Sequence, residues 1–137
     1  MLFEEELIDL GEYSRDDLIK FGLNVEALDS DDVMNAYTYR SKCRRLSVVD
    51  CFALVLSSSK RYALLTGDQT MRTSAEADGI EVHGVLWIID HMISKKIVPP
   101  ERILEALKKM YADPRCHVPD LELTQRIHKL STHRFPP

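Results

Sequence analysis

The feature that most constrains the fold is a continuous apolar run, residues 62–66 (Tyr-Ala-Leu-Leu-Thr), which ends in Gly67 and Asp68. A run of this length without polar alternation is typical of a strand buried on both faces, as in a parallel sheet covered by helices. Strand patterns alternate with helical patterns along the chain, which predicts an α/β sandwich with a parallel sheet. Ligands bind such sheets at the carboxyl ends of the strands, and Asp68 would lie at such an end.

Helix-capping signals and glycines delimit the other elements. Ser14 with Asp17 has the form of a capping box, and Gly79 is a typical residue at a helix end. Two further strands, residues 23–28 and 80–83, are predicted from alternating patterns. Trp87 lies between apolar neighbours and is expected in the core. The predicted helices are residues 2–10, 14–20, 29 or 30 to about 44, 48–59, 69–78, 85–96, 101–111, and 119 or 120 to about 130.

Length and composition point to an ordinary globular chain. The 137 residues suit one domain, with residues 1–98 expected as the main body and residues 99–137 as a helical extension packing on it. No apolar run approaches the ~20 residues of a membrane helix, and the acidic start does not resemble a secretory leader. The three cysteines show no metal or disulfide spacing, so we expect reduced thiols in a cytoplasmic protein.

Charge is distributed unevenly along the chain. Residues 1–35 carry eleven acidic and two basic side chains, although the formal net charge of the whole chain is only −4. The acidic segment could complement a basic partner, gather a cation, or simply be a solvated helix surface. Lys42, Arg44 and Arg45 could contact RNA phosphates, or be the solvated end of a helix.

Two aspartates are the strongest candidates for chemistry. Asp68 follows a buried strand and a glycine, and a carboxylate held there on rigid backbone is well placed to bind a hard cation. Asp50 lies three residues after Ser47. Ser47 and Asp50 also have the form of a capping box, in which Asp50 would only bind the first amides of a helix.

The order of these motifs resembles the second half of a PIN domain, a family of metal-dependent ribonucleases that includes many toxins of toxin–antitoxin pairs. The resemblance rests on LS-x-x-D-x-x-AL at residues 46–54, LLTGD at residues 64–68, a following helix, and GI-x-V at residues 79–82. It implies a PIN-like three-layer sandwich in which Asp50 and Asp68 help to hold Mg²⁺ or Mn²⁺ and Thr66 faces the same site.

The resemblance also implies a glutamate from an early helix. Glu6, which precedes Leu7, fits best, and Glu5 is the second choice; the alternative is that both are surface charges. A PIN domain normally begins with a strand that ends in a further aspartate, and this sequence shows neither. Either the start is truncated or the protein functions without that ligand. For this chain we expect a sheet without its first strand, weakened metal binding, weak or absent nuclease activity, and filling of the gap by residues 23–28 or by dimerisation.

The resemblance implies metal-assisted hydrolysis of RNA by a toxin that has an antitoxin partner, and the gap in the sheet favours a homo-oligomer. Two alternatives remain. The chain could be a catalytically inactive PIN-like module that binds a partner. It could also be a phosphatase of the haloacid-dehalogenase type, since Asp29 and Asp31 after residues 25–28 superficially match the nucleophile motif of that class.

Overall fold

The computed structural model describes residues 12–132. Their secondary structure is mostly helical, with two short strands, so the predicted α/β class is confirmed. Within residues 12–132, the order of helices and strands follows the sequence pattern, with the strand predicted at residues 23–28 as the exception. The helix predicted at residues 2–10 lies outside the described residues. In chain order, the elements are α1 (Arg15–Lys20), α2 (Ser30–Lys42), α3 (Val48–Lys60), β1 (Leu64–Leu65), α4 (Gln69–Ala77), β2 (Val82–His83), α5 (Val85–Ser94), α6 (Pro100–Ala112) and α7 (Asp120–Thr132).

Capping residues set the starts of the first three helices. The side chain of Ser14 accepts from the amide of Asp17 while the Asp17 carboxylate accepts from the amide of Ser14, which confirms the predicted capping box of α1. Asp29 caps α2 by accepting from the amide of Asp32 at 2.8 Å. Each of these bonds satisfies an amide that has no acceptor within its helix, so the helix starts are fixed by local sequence.

Strands β1 and β2 form a two-stranded parallel sheet that is shorter than the sequence predicts. The prediction that the first strand is buried on both faces is wrong, because Leu64 is buried but Leu65 is 55% exposed. The amide of Leu64 donates to the carbonyl of Glu81 at 2.8 Å, and the amide of Thr66 donates to the carbonyl of His83 at 2.9 Å. These two bonds advance in the same direction along both strands, as a parallel pair requires. Both strands therefore have their carboxyl ends at the same edge, where Thr66 and His83 lie.

The strand predicted for residues 23–28 is wrong, because residues 23–29 form no helix or strand. The alternating pattern there does not bury one face, since Leu23 and Val25 are both exposed. The segment is instead held by side chains: the hydroxyl of Tyr62 donates to the carboxylate of Glu26 at 2.9 Å. The expectation that this segment re-pairs with β1 is wrong for the same reason.

The described chain divides into two compact units, and the first comprises residues 12–64 and 70–81. Its core lies between α2 and α3, where Ala36, Cys51 and Leu54 are almost completely buried. A polar contact joins α2 to the end of α4. The hydroxyl of Tyr39 forms a hydrogen bond with the side chain of Asp78. Burial of the phenol is the larger cause, and this hydrogen bond the second, that raises the pKa of Tyr39, so the phenol stays protonated.

The second unit comprises residues 65–69 and 82–132 of the described chain. Its core is formed by apolar side chains of α5, α6 and α7, and Leu107 and Leu123 are the most deeply buried of them. Arg126 of α7 donates two hydrogen bonds, of 2.8 and 2.7 Å, to the two carboxylate oxygens of Asp90 on α5. This paired geometry ties α5 to α7 at the border of the core.

Within residues 12–132, no helix is both long and apolar enough to cross a membrane. The predicted division of the chain into residues 1–98 and 99–137 stays a prediction.

Candidate metal and nucleic-acid site

Asp68 lies just beyond β1, as the sequence predicts, at the carboxyl edge of the parallel pair. Its backbone amide donates to the side-chain oxygen of Thr66 at 3.1 Å, while the amide of Thr66 itself is bound to His83 of β2. The strand pairing thus fixes Thr66, and Thr66 in turn fixes the backbone of Asp68. The carboxylate of Asp68 belongs to an exposed residue. A carboxylate at this edge, on backbone held by the sheet, is suitably placed to meet a ligand.

Asp50 forms the capping box that the sequence allows for. The amide of Ser47 donates to Oδ2 of Asp50 at 2.8 Å, and the amide of Asp50 donates to the hydroxyl of Ser47 at 3.0 Å. The capping interpretation is therefore confirmed. The carboxylate of Asp50 can still accept other bonds or bind a cation, because its two oxygens offer about four acceptor positions. The cap also fixes the rotamer of Asp50, so the same bond that stabilises the helix orients the carboxylate.

The cysteines are free thiols, as predicted. Burial, and then the negative charge of Asp50, raise the pKa of Cys51. The thiol of Cys51 therefore remains protonated at neutral pH, and it is neither a thiolate ligand nor a nucleophile there.

The three basic residues predicted to contact nucleic acid lie on the connection between α2 and α3. Lys42 is the last residue of α2, and Arg44 and Arg45 follow it; all three are exposed. The next residue, Leu46, is only 2% exposed and anchors the connection in the core of the first unit. The same short segment therefore presents positive charge to solvent and leads directly into the cap that holds Asp50.

The predicted ligands are divided between the two units. Asp50 belongs to the first unit and Asp68 to the second. Glu5 and Glu6 lie outside the described residues. In the part of the chain from residue 12 to residue 132, no three His, Cys, Asp or Glu side chains form a group that could hold a metal ion. A shared site for Asp50, Asp68 and a glutamate stays a prediction.

A surface feature that the sequence analysis missed lies on α5. Trp87 was expected in the core, but 44% of its surface is exposed. Its ring stacks on the imidazole of His83, with the centroids 3.9 Å apart and the planes 13° from parallel. The imidazole of His91 lies on it at 4.6 Å with a tilt of 30°. We call these three rings the aromatic stack. The spacing of four residues between Trp87 and His91 on the predicted helix is the signal that could have revealed part of it.

A comparison with models of protein families identifies the family of this chain. A family model described as a PIN domain matches residues 2–132, so the chain belongs to the PIN-domain family, as its motif order predicts. The match includes α6 and α7 as well as the segments that hold Asp50 and Asp68. Searches among curated proteins and among solved structures gave no significant match. Membership confirms a nuclease-like fold, in a family that generally uses divalent metal ions. The phosphatase alternative is thereby set aside, and the strand that it required at residues 25–28 is absent.

Proposed function

We propose that this chain is a ribonuclease that depends on Mg²⁺ or Mn²⁺ and hydrolyses phosphodiester bonds, with Asp50 and Asp68 as metal ligands. The observation that supports it most strongly is the position of Asp68, exposed at the carboxyl edge of the parallel pair, in a chain of the PIN-domain family. Carboxylate oxygens are the ligands that hard divalent cations prefer in proteins.

Each residue has a definite task in this proposal. Asp68 and Asp50 supply carboxylate oxygens of the kind that Mg²⁺ and Mn²⁺ prefer, and Glu6 or Glu5 is proposed to complete the set. Thr66 positions Asp68 through the bond to its amide. A bound divalent ion would supply positive charge that stabilises the charge developing on the phosphodiester in the transition state.

The basic connection between α2 and α3 is proposed to hold the RNA backbone. Lys42, Arg44 and Arg45 are exposed, and they are close in sequence to the cap that holds Asp50. Contacts of this type neutralise phosphates without reading the base sequence, so they would make RNA binding strongly dependent on salt.

We further propose that the chain is a toxin paired with an antitoxin protein, and that it associates with a second copy of itself. Large apolar side chains that are exposed cluster in sequence between residues 13 and 25, which suits a protein partner. They are Tyr13, Ile19, Phe21, Leu23 and Val25.

A second candidate function is that of a catalytically inactive PIN-like module that binds a partner. The observation in its favour is the capping box, in which Asp50 is already engaged by Ser47 for a structural purpose. In that case Asp50 would be retained for the helix alone, and its charge would be dispensable.

The two candidates are separated by a cleavage assay on the purified full chain. A single-stranded RNA labelled at one end is incubated with Mn²⁺, with Mg²⁺, or with a chelator, and fragments are resolved on a denaturing gel. Because weakened metal binding is expected, we expect weak cleavage with either ion and none with the chelator. Asp68→Asn should abolish cleavage, because it removes a negative charge that the ion needs. Asp120→Asn makes the same chemical change at an exposed residue of α7 and should cleave as the wild type does.

Equal cleavage by the wild type and Asp68→Asn would refute the assignment of Asp68. No cleavage by the wild type with either ion, in a protein shown to be folded, would favour the inactive module.

A further inference from the structure

We propose that the aromatic stack of His83, Trp87 and His91 is a binding platform for a base of single-stranded RNA. The proposal rests on the ribonuclease function argued above and adds to it a surface that holds one base of the RNA strand.

The first argument is the exposure of the rings. Trp87 is 44% exposed and His91 is exposed, whereas the apolar neighbours Leu86 and Ile89 on the same helix are 9% and 8% exposed. The core of the second unit therefore uses the other side of α5. A tryptophan left this open loses much of the free energy that its burial would give, so its role in packing the core is small.

The second argument is the geometry of the rings. A separation of 3.9 Å with the planes 13° apart is close to the arrangement of stacked bases in a nucleic acid strand. His91 extends the series at 4.6 Å, so the indole of Trp87 lies between the two imidazoles and a base would add to the series on the exposed ring of His91. Proteins that bind single strands use such flat aromatic surfaces, because every base has a π-face and the contact tolerates any sequence. Double-stranded RNA offers no unstacked base to such a surface.

The third argument is the position of the stack relative to Asp68, which belongs to the same unit. His83 is the last residue of β2, and its carbonyl accepts from the amide of Thr66. The side chain of Thr66 in turn accepts from the amide of Asp68. Two hydrogen bonds thus connect the first ring of the stack to the backbone of the proposed metal ligand. A base held on the stack would place its neighbouring phosphate near the carboxyl edge of the sheet.

The simpler explanation is that the rings only stabilise the start of α5, since Trp87 and His91 lie four residues apart on the helix and His83 lies just before it. The two explanations differ in their consequences for RNA. A structural stack affects the stability of the fold and leaves RNA affinity unchanged, whereas a platform affects affinity for bases and leaves affinity for a backbone without bases unchanged.

The test uses the single tryptophan of the chain as its own reporter. The full chain is titrated, in a chelator so that no cleavage occurs, with a single-stranded oligoribonucleotide and with an abasic oligomer of the same length and charge. We expect the oligoribonucleotide to quench the fluorescence of Trp87 and the abasic oligomer to leave it unchanged. The abasic oligomer should also bind about 5- to 150-fold more weakly, which is the range for the loss of one stacked base.

Variants then locate the effect, with affinity measured by the anisotropy of a dye-labelled oligoribonucleotide. Trp87→Leu should weaken binding by a factor in the same range, while Trp87→Phe, which keeps a ring, should retain most of the affinity. The matched control is Leu121→Ala, at a residue of the same unit that is 70% exposed and lies outside the stack. It should bind as the wild type does. Thermal unfolding of each variant checks that the fold is intact.

The proposal is overturned if Trp87→Leu binds within twofold of the wild type, if the abasic oligomer binds equally well, or if no oligoribonucleotide binds at all. These outcomes are distinct from failure of the proposed function. A chain that cleaves RNA with unaltered affinity in Trp87→Leu would keep the ribonuclease and lose the platform. A chain that binds through Trp87 but never cleaves would keep the platform and lose the ribonuclease.

Discussion

The capping box at the start of α3 allows the structural and the functional roles of Asp50 to be separated by experiment. Ser47→Ala removes the acceptor of the 3.0 Å bond from the Asp50 amide and leaves that amide without its cap. Losing such a cap costs about 1 kcal/mol. For a chain of 137 residues this corresponds to a fall in melting temperature of about 3–5 °C. The carboxylate of Asp50 itself is unchanged, so metal binding should persist.

Asp50→Asn makes the opposite change. The amide oxygen of an asparagine can still accept from the Ser47 amide, which lies 2.8 Å from Oδ2 in the native protein. What is lost is the negative charge near the helix N-terminus, worth about 0.3–1 kcal/mol. The stability loss should therefore be no larger than that of Ser47→Ala. The loss of a charged oxygen ligand should weaken Mn²⁺ binding by about tenfold or more, since carboxylate charge offsets the dehydration of the ion.

Urea unfolding gives the stabilities and titration calorimetry gives the Mn²⁺ affinities of the wild type and both variants. The account predicts that Ser47→Ala loses stability and keeps metal binding, while Asp50→Asn loses metal binding and keeps most of its stability. Wild-type Mn²⁺ affinity in Asp50→Asn would show that Asp50 is only a cap. Unchanged stability in Ser47→Ala would refute the capping argument.

Three further predictions concern stability. Leu107→Ala should lower the free energy of unfolding by about 2–5 kcal/mol in urea titration, because the side chain is fully buried. The control Leu121→Ala, at a residue 70% exposed, should change it by less than about 0.5 kcal/mol. Equal effects of the two substitutions would contradict the described core. Arg126→Lys keeps the positive charge but loses the paired hydrogen bonds to Asp90, so it should lower the free energy of unfolding by about 1 kcal/mol. In a protein that already carries Asp90→Ala, the same substitution should have no such effect. Hydrogen bonds from Arg115, first from its side chain, lower the pKa of Asp113 from 3.8 to about 2. The ionised carboxylate of Asp113 therefore contributes its full stabilisation above pH 3.8, and this stabilisation is lost as the pH falls through about 2. The difference in urea midpoint between the wild type and Asp113→Asn should shrink over that interval. A difference that grows on acidification would reverse the sign of the argument.

Helix boundaries could be predicted from sequence because their causes are local. Ser47 and Asp50 fix the start of α3 at Val48, and Gly79, at φ +71°, has the left-handed conformation expected after α4. Strand lengths could not be predicted in this way, because a strand exists only where a partner accepts its hydrogen bonds. Residues 62–66 read as one strand, yet only Leu64–Leu65 pair as such.

The same distinction applies to the candidate site. The position of Asp68 after β1 and the cap of Asp50 depend on neighbours within a few residues, and both were visible in the sequence. The exposure of Trp87 depends on which side of α5 faces α6 and α7, which the local apolar pattern did not reveal. Convergence of Asp50 and Asp68 is likewise a long-range property, and it is the central claim of the proposed function.

The most direct test of that claim is anomalous diffraction from crystals of the full chain grown with Mn²⁺. The account predicts a manganese peak bound by carboxylate oxygens of both Asp50 and Asp68, at a coordination distance of about 2.2 Å. The peak should be absent from crystals of Asp68→Asn. A well-ordered structure with manganese elsewhere, or with the two carboxylates too far apart to share an ion, would contradict the account.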